Sequence, residues 1–266
     1  MFVSFLSDFG HQDEFVGVVH GVIAKLAPEV RVIDVNHGIP AGSVRSGALS
    51  LTRSIQYLPD GVVLAVVDPG VGTSRRAIAA RTAEGLTFVG PDNGLLGPAV
   101  ATMGGAEMIV ELTNPEARIP SSGATFAGRD IFAPAAALLA SGEASLDDLG
   151  PVVEPDSVTP LLIPLPDVEG SKVVGEAWWV DRFGNVQVNI GPEDLELAGI
   201  TREVTVTVRV GSTEREVPWV ETYGDVAEGE PLLHIDSSGL VALAVRGGSA
   251  TDYFNLATGT ALTLAG

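Results

Sequence analysis

Hydrophobic and polar residues alternate along this chain with two different textures. In the first half, residues 2–6 form a loosely alternating apolar run that ends in Ser7-Asp8-Phe9-Gly10, a strand running into a polar turn. Phe15, Val19, Val22 and Leu26 then recur at helical spacing, with Asp13 placed to cap that helix. Residues 30–35 read as a second strand, and Val44, Ala48, Leu51, Ile55 and Leu58 mark a second amphipathic helix. Residues 62–67 are apolar without interruption, as expected of a strand buried on both faces. Residues 86–89 and 107–112 read as strands, and 130–140 as a helix disturbed early by Pro134. Strands that alternate with helices predict a largely parallel sheet covered by helices, an α/β/α arrangement.

Prolines at 151, 155, 160, 164 and 166 then crowd the chain and read as an ordered linker. Beyond them come short strand-like runs at 173–180, 186–190, 204–210, 232–235 and 240–245, separated by turn residues. The expected organisation is an N-terminal α/β domain over residues 1–160, a linker over 161–171, and an all-β domain over 172–266.

Open parallel sheets bind ligands beyond the carboxyl ends of their strands. Three polar segments fall at such ends: Ser7 to Gly10, Asn36-His37-Gly38-Ile39-Pro40, and Asp68-Pro69-Gly70-Val71-Gly72-Thr73-Ser74-Arg75-Arg76. In the third, a buried strand ends directly in a carboxylate, and glycines and two arginines follow. It lacks the Gly-Lys-Ser/Thr of a phosphate loop, and Arg75 occupies the third glycine position of a dinucleotide fingerprint. From the residues alone it is either a reactive loop or a tight turn with Asp68 paired to an arginine.

Composition narrows the chemistry. The formal charge is −19, with Lys25 and Lys172 the only lysines. Such a surface repels phosphates and argues against nucleic-acid or anionic-membrane partners, while it tolerates a cationic small molecule. There is no cysteine, so disulfides, thiol nucleophiles and thiolate metal sites are excluded. That fits a cytoplasmic location, as does an N-terminus without a basic region or an Ala-x-Ala cleavage pattern. No apolar run approaches the ~20 residues of a membrane span. No Gly-x-Ser-x-Gly elbow is present, and His11, His20, His37 and His234 lack zinc-ligand spacing. No metal site is expected. His20 reads as structural, whereas His37, in a loop at a strand end, could be either structural or functional.

The segments SDFGHQDEFVGVVHGVI, VIDVNHGIP, VVDPGVGTSRRAI, FVGPDNGLL and FAGRDIFAPAAALLASG are followed by VDRFGNVQVNI and VRGGSA. In this order and spacing, across essentially the whole chain, they resemble the S-adenosylmethionine hydroxide adenosyltransferase family, relatives of the fluorinase and chlorinase. The resemblance implies an α/β domain followed by a barrel-like β domain. It also implies homotrimers in which each site lies between one subunit's first domain and a neighbour's second. The implied activity is attack by water on the ribose 5′ carbon of S-adenosylmethionine, giving adenosine and methionine without a metal or redox cofactor.

The resemblance also implies site residues. Asp8 matches the aspartate that grips the ribose hydroxyls. Asp181 matches the acidic residue that holds the methionine ammonium, Phe183 an aromatic on the adenine, and Asn185 the amide that reads the adenine edge. Tyr223 stands at a second adenine-side aromatic position, and Ser237 or Ser238 near the methionine carboxylate. Asp68 and Arg75 match two members of the water-handling trio, with Arg76 a rival for the second. The third departs. The family motif reads Phe-His-Gly-Arg-Asp, and this chain reads Phe126-Ala127-Gly128-Arg129-Asp130. Ala127 thus stands where a histidine is expected, as a natural residue or an introduced one. Two alternatives stay open: a halide-using adenosyltransferase, disfavoured because a carboxylate at Asp68 repels halide, and a noncatalytic S-adenosylmethionine-binding protein.

Overall fold

The computed structural model describes residues 1–202 and 205–266, and these divide into two compact units, Met1–Leu162 and Ile163–Gly266. In the first unit the strands are β1 (Phe2–Ser7), β2 (Arg31–Asn36), β3 (Gly61–Val66), β4 (Ala77–Thr82), β5 (Thr87–Pro91) and β6 (Ala106–Glu111). The helices are α1 (Phe15–Leu26), α2 (Val44–Ile55), α3 (Gly97–Thr102), α4 (Ala133–Ser141) and α5 (Leu146–Leu149).

The six strands form one sheet in the order β2-β1-β3-β5-β4-β6. Pairs β1/β2, β1/β3 and β3/β5 are parallel, while β4 runs against both β5 and β6. Five strands therefore point one way, and their carboxyl ends share an edge. The reversed strand, β4, escapes a reading based on strand–helix alternation because it follows β3 after a loop and no helix. Its first residue, Ala77, pairs with Pro91 at the end of β5, so the 68–76 loop stays on the carboxyl edge.

Val3 and Phe5 of β1 and Val62, Leu64 and Val66 of β3 pack with Val16, Val19 and Ile23 of α1 and with the alanine-rich face of α4. Helices α2 and α3 pack together, and Ala48, Leu51 and Ile55 of α2 are buried. Both faces of β1 and β3 are thus covered, which explains the unbroken apolar run of β3.

Three local expectations change. Helix α1 begins at Phe15 with Glu14, not Asp13, at its N-cap, and no side chain caps it, because Glu14 already has helical dihedrals. Helix α2 stops at Ile55, short of Leu58. The segment read as one helix over 130–140 is a single π turn, Gly128–Phe132, followed by α4, with Pro134 in the first turn of α4 where its missing N–H costs no intrahelical bond.

The second unit contains β7 (Asp167–Glu169), β8 (Lys172–Val180), β9 (Val186–Val188), β10 (Thr205–Val210), β11 (Thr213–Pro218), β12 (Pro231–Ile235), β13 (Val241–Val245) and β14 (Ala261–Ala265), with short helices α6 (Pro192–Leu197) and α7 (Ala250–Phe254). The sheet runs β11-β10-β14-β8-β9-β13-β12, all antiparallel, with β7 beside β8. Its two end strands approach each other where Trp219, just after β11, bridges to Leu233 of β12. The result is a nearly closed, barrel-like sheet around Val173, Val188, Ile190, Val206, Val208, Leu233 and Leu243. Of the strand read over 204–210, Val204 lies outside the described residues. Among the described residues, no helix is long and apolar enough to cross a membrane.

Candidate active site

In the first unit the three polar segments do converge at the carboxyl edge of the sheet. Asp8 follows β1, and its backbone N–H donates to the carbonyl of Val66 at 3.3 Å. One Asp8 carboxylate oxygen accepts the N–H of Gly42 at 2.7 Å. Asp8, Phe9, Val66, Asp68, Val71 and residues 125–128 line a cavity of about 60 Å³. A water needs about 10–15 Å³ of such space, so the cavity holds more than one. Ala127 is 7% exposed and forms part of its wall. A larger cavity of about 380 Å³ lies at the other end of β1, lined by Met1, Pro28, Glu29 and Glu143. It lacks the convergent polar groups of the carboxyl edge, so size alone does not mark the site.

The 68–76 loop settles which arginine serves Asp68. Arg75 Nε donates to Asp68 Oδ1 at 3.0 Å, and Arg75 Nη2 donates to Asp68 Oδ2. The Asp68 and Arg75 side chains are 5% and 11% exposed. Arg75 Nη1 donates to the carbonyl of Arg76 at 2.9 Å, and its guanidinium lies 5.3 Å from the centre of the Phe132 ring. Arg76 turns instead to the buried Asp92, with Nε on Oδ2 at 2.9 Å. The tight turn with Asp68 paired to an arginine is therefore present: the Asp68–Arg75 pair closes it, and Asp68 lines the cavity.

The neighbouring motifs supply the support. Asn93 Nδ2 donates to the carbonyl of Val67 at 2.8 Å, pinning the peptide just before Asp68. Arg129 holds the buried Asp130 in a bidentate pair, Nε to Oδ1 at 2.6 Å and Nη2 to Oδ2 at 3.0 Å. Between them Gly128 must stay small, since a Cβ there would stand 2.9 Å from Phe9 Cζ. Phe9, Phe15 and Phe126 pack edge-on or tilted around it, with centroids 5.0–5.9 Å apart.

In the second unit Asp181, Phe183 and Asn185 sit on the turn between β8 and β9. Asp181 Oδ1 accepts the N–H groups of Phe183 at 2.8 Å and Asn185 at 2.9 Å, and Oδ2 accepts Asn185 Nδ2 at 2.8 Å. Gly184 has φ +82°, and a Cβ there would stand 2.5 Å from Ser249 Oγ, so the turn and the start of α7 are fitted to each other. Tyr223 joins the group, its hydroxyl 3.4 Å from Asn185 Nδ2. Burial, and then the charges of Asp181 and Asp236, push the Tyr223 phenol above its ordinary value. Phe183 is 70% exposed and Tyr223 44% exposed. Ser237 lies on an exposed turn whose N–H groups at Ser238 and Leu240 are accepted by Asp236 Oδ1.

Two polar residues that the motif reading left aside belong to this second-unit cluster. Asp236 accepts Gln187 Nε2 on its second oxygen. His234 packs edge-on to Tyr223 at 5.0 Å. His234 is buried within a short apolar strand and Asp236 is just past its end, so neither stood out in the sequence. In the first unit His37, which the sequence left open between a structural and a functional role, makes ring hydrogen bonds to Ser7 and Asp34.

Models of the two domains of the SAM hydroxide adenosyltransferases match residues 3–150, for the N-terminal domain, and 175–263, for the C-terminal domain. The chain belongs to this family. A Salinispora tropica protein named (R)-S-adenosyl-L-methionine hydrolase is 49% identical over 98% of this chain and 96% of its own length. A Thermus thermophilus protein of the same name is 41% identical over 98% of this chain and 98% of its own. A fluorinase from an Actinoplanes species is 29% identical over 98% of this chain and 96% of its own length. Among solved structures, an uncharacterized conserved protein from Thermotoga maritima superimposes with a TM-score of 0.91 at 37% identity, covering 99% of this chain and 100% of the other. The family match thus spans both units, the carboxyl-edge cavity of the first and the acidic, aromatic cluster of the second.

Proposed function

We propose that this protein cleaves S-adenosyl-L-methionine with water at the ribose 5′ carbon, releasing adenosine and L-methionine. The observation that carries this reading is Asp68, held by the buried Arg75, on the wall of a small cavity shared with Asp8, in a chain 41–49% identical to proteins named (R)-S-adenosyl-L-methionine hydrolase.

The reaction is an in-line displacement. A water oxygen bonds to C5′ as the C5′–sulfur bond breaks, the sulfur keeps the electron pair, and the water's proton passes to solvent through Asp68. Neutral methionine leaves, so no general acid, metal or redox cofactor is required. Arg75 fixes both oxygens of Asp68, which orients the carboxylate toward its water without reorganisation during the reaction. Asp8 keeps one oxygen free of Gly42 for the ribose hydroxyls. Asp181 and Asp236 place negative charge beside Tyr223, a field that suits the methionine ammonium. Asn185 and the exposed rings of Phe183 and Tyr223 offer hydrogen bonds and stacking to adenine.

The exposed aromatics also support a homotrimer with each site shared between the first unit of one subunit and the second unit of a neighbour. A location in the cytoplasm and a lack of nucleic-acid or membrane partners belong to the same reading, supported by the −19 charge and the missing cysteines.

Two other readings divide from this one by product. A halide-using enzyme gives 5′-halo-adenosine, which the Asp68 carboxylate opposes. A noncatalytic binder leaves the ligand intact, and Ala127 keeps that reading in play. Incubation with S-adenosylmethionine in ¹⁸O-labelled water and excess chloride, followed by mass spectrometry, separates the three. Adenosine carrying ¹⁸O at its 5′ hydroxyl is the expected product. Chloro-adenosine or unchanged ligand would overturn the reading.

A further inference from the structure

Asp8 is supported by the loop that follows β2 at two separate points. One is the Gly42 N–H on its carboxylate at 2.7 Å. The other is His37. Its Nδ1 lies 2.7 Å from Ser7 Oγ, and its Nε2 lies 2.9 Å from Asp34 Oδ1. Its carbonyl accepts the N–H of Gly10 at 2.8 Å, and Ser7 Oγ accepts the N–H of Phe9 at 3.3 Å. Residues before and after Asp8 are thus tied to a single residue. The His37 side chain is 0% exposed and packs against Phe5, with ring centroids 4.5 Å apart.

The direction of each hydrogen bond follows from Asp34. Burial raises its pKa, but the hydrogen bonds to His37 and His20 outweigh that and hold the carboxyl below its ordinary range. An ionised carboxylate only accepts, so His37 Nε2 carries the proton and Nδ1 presents a lone pair. The Ser7 hydroxyl then donates to Nδ1 and accepts from Phe9. The second partner of Asp34 is His20 Nε2 at 2.7 Å, which anchors the relay on α1. The order serine, histidine, aspartate resembles a hydrolase relay. Ser7, however, is 0% exposed at the end of β1 and reaches no substrate, so the relay acts on the backbone.

We propose that His37 is a positioning residue that sets the backbone of residues 7–10 so that Asp8 offers its free carboxylate oxygen to the ribose hydroxyls. This rests on the role given to Asp8 above. It follows that the influence of His37 on ligand binding passes through Asp8 and through those hydroxyls.

The test is a double-mutant cycle in the full-length protein, read by calorimetry with adenosine and with 2′,3′-dideoxyadenosine. His37→Gln and Ser7→Ala are each expected to weaken adenosine roughly tenfold, the scale of one or two lost hydrogen bonds. Dideoxyadenosine, which offers Asp8 nothing to grip, should bind each variant as it binds the parent. In an Asp8→Ala background neither substitution should weaken adenosine further. Ser7→Ala changes little volume and keeps the test available if His37→Gln folds poorly. Equal losses for both nucleosides, or losses that add to that of Asp8→Ala, would make His37 a general structural support and overturn the proposal. An Asp8→Ala protein with unchanged adenosine affinity would instead remove Asp8 from the site, a distinct result that takes the role of His37 with it.

Discussion

Arg75 grips Asp68 with two guanidinium nitrogens, Nε on one carboxylate oxygen at 3.0 Å and Nη2 on the other, while its third nitrogen holds the backbone of Arg76 and its face rests on Phe132. Both carboxylate oxygens are thereby held from one side. A lysine at this position would keep the charge but lose the fork and the stacking. Arg75→Lys is therefore expected to lower kcat by ~10²-fold, with a smaller change in KM, because orientation of the nucleophile matters most in the transition state. Arg75→Ala leaves a buried carboxylate without a partner and is expected to cost about 3–5 kcal/mol of stability. Steady-state kinetics and denaturant unfolding check the two expectations, and a lysine variant at parental kcat would remove Arg75 from the chemistry.

Asp8→Asn replaces a charge-assisted acceptor at the ribose by a neutral amide. Hydrogen bonds to charged groups are worth about 1.5–3 kcal/mol. The variant is expected to bind S-adenosylmethionine more weakly by that amount in calorimetry. Unchanged affinity would show that the ribose lies elsewhere.

Ala127 forms part of the cavity wall, so an imidazole introduced there has space to occupy beside Asp68. A positioned acid–base group contributes ~10²–10⁴-fold to a rate. Ala127→His should raise the single-turnover rate of adenosine release on that scale at saturating S-adenosylmethionine, with little change in affinity. Equal rates for the two forms would mean that Asp68 and Arg75 suffice to handle the water.

Burial holds both His37 and His234 below the ordinary histidine value of 6.5, against opposing hydrogen bonds and carboxylate charges. In the unfolded chain each histidine takes up a proton as the pH falls through about 6.5, while in the folded protein each still resists it. The unfolded state then binds more protons, so stability falls as pH drops through that value and is complete above it. Thermal melts from pH 8 to pH 5 should show a decline in Tm beginning near the ordinary histidine value. His234→Gln should flatten part of the decline, and a slope identical to the parent's would exclude His234 as a source.

If ribose and adenine are held by different subunits, Asp8→Ala and Phe183→Ala chains are each inactive alone and complement each other when co-assembled. Mixed assemblies are expected to regain adenosine release, since some of their sites then combine two intact halves. No recovery after co-refolding of the two variants would place each complete site within one chain.

Much of this architecture is legible in the sequence. The unbroken apolar run at 62–67 marks a strand covered on both faces, and β3 is indeed buried at almost every position. The period change after Pro166 separates a helix-bearing half from a β half. Motif order was enough to place Asp8, Asp68, Asp181 and Asn185 as candidates, because chemistry concentrated in turns leaves polar residues where the pattern breaks. Strand β4 was not legible, since AIAART after a loop has neither a helix before it nor a period of its own. Helix α1 and the helical segment read over 130–140 showed their existence but not their ends or the π turn at 128–132, which depend on backbone hydrogen bonds that a one-dimensional pattern does not carry.

Residue identity along the chain determined the class of fold, the acidic charge, the absence of thiol chemistry, and which loops gather polar and charged side chains at strand ends. It could not choose between Arg75 and Arg76 for Asp68. Both arginines are adjacent, equally charged and equally long, and the choice falls to geometry: the turn through Gly70 and Gly72 brings Arg75 back over Asp68, while the next residue faces Asp92 on a different loop. Nor could it join Ser7, Asp34 and His37, which come together only because β1 and β2 are parallel neighbours and their carboxyl ends share one edge. Hydrogen bonds of this kind reach no further than about 3 Å, so partners distant in sequence are defined by the packing of strands and loops and by nothing local to either residue.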